Sequence, residues 1–294
     1  MNKKKIKGII LAGGSGLRLH PLTKVLSKQI LPIYDKPMIY YPLSTLMLAD
    51  IKDILIITTP QDSLSFKNLL GDGSKLGINL EYATQDKPVG LPDAFMIGEN
   101  FIGDNNVCLI LGDNIFHSDT FINKYLKPSF EKNISTVFGY YVSDPERYGV
   151  VDFDKNQNVI SIEEKPKSPK SNYAVTGLYI FDKNAANIAK KLVPSARGEL
   201  EITDMLNYYL KNDGLRVELL SRGVVWLDTG THKSLNEASN YFEVLESRQG
   251  LKIACLEEIA FRKKYITKIQ LLSLVKPIKN SEYGKYLIRI AKEN

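Results

Sequence analysis

The stretch Ile6-Lys7-Gly8-Ile9-Ile10-Leu11-Ala12-Gly13-Gly14-Ser15-Gly16-Leu17-Arg18 carries the first reading of this chain. Residues 6–11 form a short, mainly apolar run that ends in glycines, the pattern of a central strand buried on both faces. Glycines directly after a first strand let backbone N–H groups come close to anionic oxygens, so the turn reads as a phosphate cradle. Two standard phosphate loops do not fit. A P-loop closes on Gly-Lys-Ser/Thr, which this stretch lacks, and the dinucleotide pattern GxGxxG is met only by Gly14 and Gly16, because Leu19 stands where its last glycine would be. Neither an ordinary ATPase nor a dehydrogenase is favoured. What sets the turn apart is Arg18 just behind the glycines, with Lys28-Gln29 ten residues on. A guanidinium fixed beside a phosphate cradle suits negative charge developing on a phosphate leaving group. A glycine turn with a surface arginine is the bland alternative.

Outward from the turn, strands and helices alternate. Residues 38–49, with Pro37 at their start, read as helix, 53–59 as a second buried strand and 61–70 as helix. Residues 79–84 read as a third strand, 91–100 as helix, and 107–111 as a fourth strand ending at Gly112-Asp113-Asn114. This alternation predicts an α/β fold, a mostly parallel central sheet with helices on both faces. The second half is richer in strands, at 135–142, 149–153, 159–163 and 178–181, with turn signals between them. Residues 199–210 read as helix, 215–220 as strand, and 232–248 as helix with Leu235, Ala238, Tyr241, Phe242 and Leu245 at helical spacing. Short helices are expected beyond about residue 250. The expected organisation is a catalytic α/β body over residues 1–231 and a C-terminal helical extension over 232–294.

Composition narrows the class. The chain has 294 residues, 44% of them hydrophobic and 24% charged, with a net charge of +6, which is ordinary for a globular protein. No apolar run reaches spanning length, so no membrane contact is expected. The basic N-terminus runs into an apolar stretch too short for a secretion signal. Two cysteines, Cys108 and Cys255, make no disulfide framework and suit a reducing cytoplasm. The positive balance could serve nucleic acid, but the chain lacks a basic stripe and a nucleic-acid motif, so polyanionic small substrates are the better reading.

The opening LAGGSGLRLHP resembles the signature of sugar-nucleotide pyrophosphorylases. The stretch from Ser27-Lys28-Gln29-Ile30-Leu31-Pro32 to Tyr40-Tyr41-Pro42-Leu43 is similar to the glucose-1-phosphate thymidylyltransferase branch, the dTDP-glucose pyrophosphorylases. The likeness continues through Leu111-Gly112-Asp113-Asn114, Pro145-Glu146-Arg147-Tyr148-Gly149, Glu163-Glu164-Lys165-Pro166, Arg197-Gly198-Glu199-Leu200-Glu201 and Trp226-Leu227-Asp228-Thr229-Gly230-Thr231. It reaches Arg248-Gln249-Gly250-Leu251-Lys252 and Tyr283-Gly284-Lys285-Tyr286-Leu287, so it covers nearly the whole chain. Two departures stand out: Leu17 where the family usually has Thr or Ser, and Pro92-Asp93 in place of Ala-Gln.

The resemblance implies a Rossmann-like nucleotidyltransferase fold and an Mg²⁺-assisted reaction. dTTP and glucose 1-phosphate would give dTDP-glucose and pyrophosphate. Such chemistry needs little from a protein nucleophile, because a sugar phosphate is largely dianionic near neutral pH and can attack the α-phosphorus itself. The protein must align two polyanions and neutralise their repulsion. Asp113 and Asp228 follow strand-like runs, where α/β sheets bind ligands, and carboxylates there suit magnesium; a helix N-cap or turn aspartate is the alternative. The family match gives them the metal. It gives Arg18, Lys28 and Lys165 the catalytic roles, and Gly13, Gly14, Ser15, Gly16, Arg18, Lys28, Gln29, Gln85 and Gly90 the nucleotide. Asn114, Tyr148, Gly149, Glu164, Lys165, Val175 and Arg197 would bind the sugar phosphate. Without the match, Lys165 and Glu164 would read as a charged strand end, Gln85 as a solvent-facing side chain, and Tyr148 and Val175 as packing. His20 and His117 are read as structural, because the reaction needs no imidazole. The resemblance further implies a homotetramer. A UTP-using relative and a non-catalytic nucleotide-sugar sensor remain as alternatives; the sensor should lack Arg18, Lys28, Asp113 or Asp228, and all four are present.

Overall fold

Alternate residues of the first strand face two different cores. In β1 (Ile6–Ala12), Ile10 and Ala12 join one apolar cluster while Ile9 and Leu11 join another, which is why the strand reads as an unbroken apolar run. The computed structural model describes residues 5–14, 16–132 and 134–293. After β1 come a two-residue ladder, β2 (Pro32–Ile33) and β3 (Lys36–Pro37), then α1 (Tyr40–Leu48), β4 (Asp53–Thr58), α2 (Ser63–Leu70) and β5 (Asn79–Thr84). Next are α3 (Asp93–Ile97), α4 (Glu99–Ile102), β6 (Asn106–Leu111), β7 (Asn114–His117), α5 (Lys127–Glu131) and β8 (Ser135–Tyr141). The chain continues with β9 (Gly149–Phe153), β10 (Val159–Glu164), β11 (Tyr173–Phe181), α6 (Ala185–Ala189), α7 (Ile202–Lys211), β12 (Leu215–Leu219) and β13 (Val225–Asp228). Four helices close it: α8 (His232–Gln249), α9 (Leu256–Arg262), α10 (Lys268–Val275) and α11 (Glu282–Lys292).

The main sheet has nine strands among the described residues, in the order β10-β9-β11-β6-β1-β4-β5, with β8 on β11 and β12 on β8. The β6-β1-β4-β5 half is parallel. From β1 the chain moves to β4 and β5 on one side and then returns to β6 on the other. That reversal is a topological switch point, and it opens a crevice above the carboxyl ends of β1 and β6. The sequence expectations for β4, β5, β6, β8, β9, β10 and α8 agree within two residues at each end. The helix expected over 91–100 is instead two short helices, α3 and α4, parted at Gly98, where a Cβ would press Ile9 Cδ1 at 2.9 Å and Ala94 O at 3.0 Å. The strand expected over 178–181 begins earlier, at Tyr173, because its first half pairs with β8 and, at Ala174, with β9, ahead of the second half that pairs with β8 and β6.

The C-terminal helices share the core of the sheet. Leu256, Ala260, Leu271, Leu287 and Ile290 pack in the same cluster as Leu43, Leu46 and Met47 of α1. Helix α8 starts at a capping box, with Thr231 Oγ1 accepting from Ser234 N at 3.1 Å and Ser234 Oγ accepting from Thr231 N at 3.0 Å. Lys36 is 2% exposed and pairs with Asp35 and, at 2.8 Å, with Glu246 of α8. Glu246 also accepts from Ile253 N at 2.8 Å, so one buried carboxylate ties α8 to the loop before α1. No helix among the described residues is long and apolar enough to cross a membrane.

Candidate functional site

Two cavities lie over the switch point. One of about 290 Å³ is walled by β9–β11, the loop before α7 and β13; the other, of about 220 Å³, lies over Gly13 and Gly14. Asp113 lines both. The strands explain how it comes to sit there. Asp113 occupies the turn between β6 and β7, and β7 pairs antiparallel with β13 so that Asn114 stands opposite Asp228. Thr229 then closes on the same turn, its N and Oγ1 donating to Asp113 O at 3.1 and 2.8 Å. The two aspartates therefore share one cavity. Asp228 does not cap α8, since Thr231 does.

Charge is distributed unevenly over the pair. Burial raises the Asp113 carboxyl, but the Lys28 ammonium bonded to it outweighs burial and holds it below the usual carboxylate range. Lys28 is itself buried, at 7% exposure. Burial and the neighbouring Asp113 charge push Asp228 above the usual range, against the pull of Lys28, Arg18 and Arg147. Two carboxylates share one cavity, and the charge of Asp113 is part of what raises Asp228, so a cation placed between them would relieve that repulsion. Among the described residues no group of three or more acidic, His or Cys side chains gathers as a metal site. A pair of carboxylates with room for phosphate oxygens and water suits Mg²⁺, which keeps much of its shell for substrate and solvent.

The cavity walled by β9–β11 is lined by Arg18, Asp113, Asn114, Tyr148, Gly149, Glu164, Lys165, Val175, Arg197 and Asp228, among others. Lys165 stands just beyond β10 with φ 44, a left-handed conformation that a lysine adopts only when its surroundings impose it. Its N donates to Tyr148 O at 2.9 Å, and its Nζ lies 3.4 Å from Glu164 Oε1. Arg197 grips Glu201 with two bonds, at 2.6 and 3.0 Å, and reaches Glu164 at 3.3 Å. Asn114 supports the aspartate turn: its Nδ2 donates to Asp113 Oδ1 at 3.1 Å, and its Oδ1 accepts from Gly177 N and Trp226 Nε1 at 3.0 and 2.7 Å. That leaves one amide hydrogen for any ligand.

The cavity over the glycine turn gathers Gly13, Gly14, Gln29, Gln85 and Gly90. Gly16 turns the chain at φ 61, and a Cβ there would strike Thr23 Cγ2 at 2.8 Å. Ser15 lies outside the described residues. Leu17 is 76% exposed, so its departure from the family pattern displaces no packing. His117 bonds Tyr241 Oη at 2.9 Å and lines neither cavity; His20 lines neither either.

Arg147, Trp226 and Asp93 belong to this neighbourhood and were not singled out from the sequence. Arg147 and Trp226 sit inside quoted blocks, beside Tyr148 and Asp228, and only their spacing from those residues could have flagged them. Asp93 was visible as a departure in the family pattern, without a role.

A family model described as Nucleotidyl transferase matches residues 7–244. Glucose-1-phosphate thymidylyltransferase of Neisseria meningitidis serogroup A is 55% identical over 288 residues, covering 98% of this chain and 100% of that one. The protein of the same name from Mycobacterium tuberculosis is 51% identical over 289 residues, covering 98% and 100%. A crystal structure from Bacillus anthracis, given by name to the same group and holding sucrose, superposes with a TM-score of 0.73 at 44% identity, covering 80% of this chain and 94% of that one. A UDP-glucose pyrophosphorylase complexed with UDP-glucose superposes with a TM-score of 0.71 at 26% identity, covering 82% and 99%.

Proposed function

The chain belongs to the nucleotidyl transferase family, and we propose that it transfers a deoxythymidylyl group from dTTP to α-D-glucose 1-phosphate, giving dTDP-glucose and pyrophosphate. The observation that carries this reading is that the two cavities meet at Asp113; in this reading the one walled by β9–β11 is the sugar-side cavity and the one over Gly13 and Gly14 the base-side cavity. A nucleotide in one and a sugar phosphate in the other would bring their phosphates together beside that residue.

In the reaction, a phosphate oxygen of glucose 1-phosphate forms a bond to the α-phosphorus of dTTP. The bond from that phosphorus to the bridging oxygen breaks, and pyrophosphate leaves with the electron pair. No proton need move in that step, because the attacking phosphate is largely dianionic with a second pKa of about 6. Asp113 and Asp228 would hold Mg²⁺, which neutralises phosphate charge when bound. Arg18 and Lys28 would offset charge on the triphosphate side, and Lys165 with Arg197 would hold the sugar phosphate. Arg18 is close enough to Asp228 that a Cβ on Gly230 would lie 3.1 Å from Asp228 Oδ1 and 3.6 Å from Arg18 Nη2. Glu164, Tyr148, Gly149 and Val175 would meet the glucose, and Gln29, Gln85 and Gly90 the base. Residues 232–294 are read as a helical extension available for contacts between copies in a homo-oligomer.

A panel of nucleoside triphosphates and sugar 1-phosphates, read by pyrophosphate release with and without Mg²⁺, tests the reading. dTTP with glucose 1-phosphate should be the most efficient pair, and activity should vanish with chelator and return with Mg²⁺. UTP belongs in the panel because uracil presents the same pairing edge as thymine. Preference for a purine nucleotide, or release without a divalent cation, would overturn the proposal.

A further inference from the structure

Gln85 follows β5 and is 6% exposed. Its Nε2 donates to Asp93 Oδ2 at 2.8 Å and, more weakly, to Gly90 O at 3.4 Å. A carboxylate can only accept, so the amide nitrogen must face Asp93 and the carbonyl must face away. Gln85 Oε1 then lies over Gly13, 3.0 Å from where a Cβ of that residue would sit, at the base-side cavity. It accepts no hydrogen bond from the described residues. Gln29 lines the same cavity and is turned the other way: its Oε1 accepts from Ser27 Oγ at 2.9 Å, which leaves its amide nitrogen as a donor. A serine hydroxyl can donate or accept, so it does not fix Gln29 by charge. Asp93 does fix Gln85.

We propose that Asp93 is a positioning residue for base selection, locking the Gln85 amide so that the cavity offers a carbonyl acceptor to the nucleobase. The proposal rests on the assignment of Gln85 to the base made above. Thymine and uracil present an N3–H donor flanked by carbonyl oxygens, which matches one acceptor from Gln85 and one donor from Gln29. Cytosine presents a bare N3 lone pair at the same place, which would face the Gln85 oxygen. An amide at residue 93 would hold Gln85 in this sense only by turning its own oxygen toward it, so it would fix the acceptor less firmly than a carboxylate does.

The test is steady-state pyrophosphate release by the full chain with dTTP or dCTP varied, at saturating Mg²⁺ and glucose 1-phosphate, for wild type, Asp93→Asn, Asp93→Glu and Gln85→Ala. Asp93→Asn should raise the dTTP KM about tenfold, the worth of one ordinary hydrogen bond. It should lower the dTTP-over-dCTP ratio of kcat/KM by a similar factor, with kcat and the glucose 1-phosphate KM unchanged. Asp93→Glu keeps a carboxylate and should recover much of the discrimination. An unchanged ratio in Asp93→Asn, while Gln85→Ala raises the dTTP KM, overturns the role of Asp93 alone. A loss of kcat with both nucleotides and a lowered Tm would make Asp93 merely structural and also overturn it. If Gln85→Ala leaves the dTTP KM untouched, the base assignment falls and this proposal falls with it.

Discussion

Asp228 stands opposite Asn114 in the β7–β13 ladder, one residue from Asp113, so two carboxylates more than a hundred residues apart in sequence are brought together by one short pair of strands. The pairing sets up opposite electrostatics. Lys28 holds Asp113 low, and burial together with Asp113 holds Asp228 high. The two aspartates should therefore answer the same substitution in opposite ways.

Asp228→Asn should raise Tm at neutral pH while cutting turnover about 100-fold or more. The folded carboxyl has a raised pKa, so its ionisation weakens the fold as pH rises from the unfolded value through the folded one, and the cost is full above that. The stabilisation from Asn should accordingly vanish at acid pH. Asp113→Asn should lose turnover as severely but lower Tm at neutral pH, since it strips the buried Lys28 of its partner. Its folded pKa is lowered, so the stability it gives is present above the unfolded value and is lost as pH falls through the folded one. Thermal melts of both variants across pH, without nucleotide, check the signs; matching shifts would remove the proposed asymmetry.

Lys165→Ala should raise the glucose 1-phosphate KM about tenfold or more and leave the dTTP KM near wild type, because Lys165 lines the sugar-side cavity and not the base-side one. Alanine keeps a Cβ, so the left-handed backbone at φ 44 is neither relieved nor worsened, and the melting temperature should stay near wild type. Initial rates with each substrate varied separate the two KM values; equal rises in both would move Lys165 to the shared phosphates.

The parallel half of the fold was legible because burial on both faces writes itself as continuous apolar runs, as at Ile9 to Ala12 against Ile54 to Ile57. Strand β7 was not, since Asn114-Ile115-Phe116-His117 has neither alternation nor turn signals and is a strand only because β13 pairs with it. For the site, glycines and carboxylates could be picked out, but the sense of each hydrogen bond could not. Asn114 was expected at the sugar phosphate, and its amide is largely spent on Asp113, Gly177 and Trp226. Such commitments depend on side chains from three separate segments, and no local pattern records them.

Glu246→Leu should destabilise the chain by about 3 kcal/mol or more, because it leaves Lys36 buried with only Asp35 and strips Ile253 N of its acceptor. Lys36→Met together with Glu246→Leu should recover part of that loss, as an apolar pair of similar volume replaces the charges. Denaturant midpoints for the two single variants and the double variant form the cycle. A double variant no more stable than Glu246→Leu alone would show that packing rather than charge pairing holds α8 to the loop.

Two glycines at the base-side cavity should respond differently to alanine. Gly90 sits at φ 120, and a Cβ would come within 2.1 Å of Leu200 O, the residue it bridges across to the sugar-side wall. Gly90→Ala should therefore cost at least the ~1–3 kcal/mol of a strained backbone. It should also raise the KM of both substrates, because Leu91 and Glu199, beside this bridge, line both cavities. Gly14 has nothing within 4 Å of the position its Cβ would take. Gly14→Ala should leave the melting curve of the free protein unmoved and raise the dTTP KM, because the added methyl occupies space over which the triphosphate must approach the backbone. Melting curves with and without Mg²⁺ and dTTP, beside both KM values, distinguish the two effects. A Gly14→Ala protein with unaltered dTTP KM would mean the nucleotide phosphates do not pass over the glycine turn.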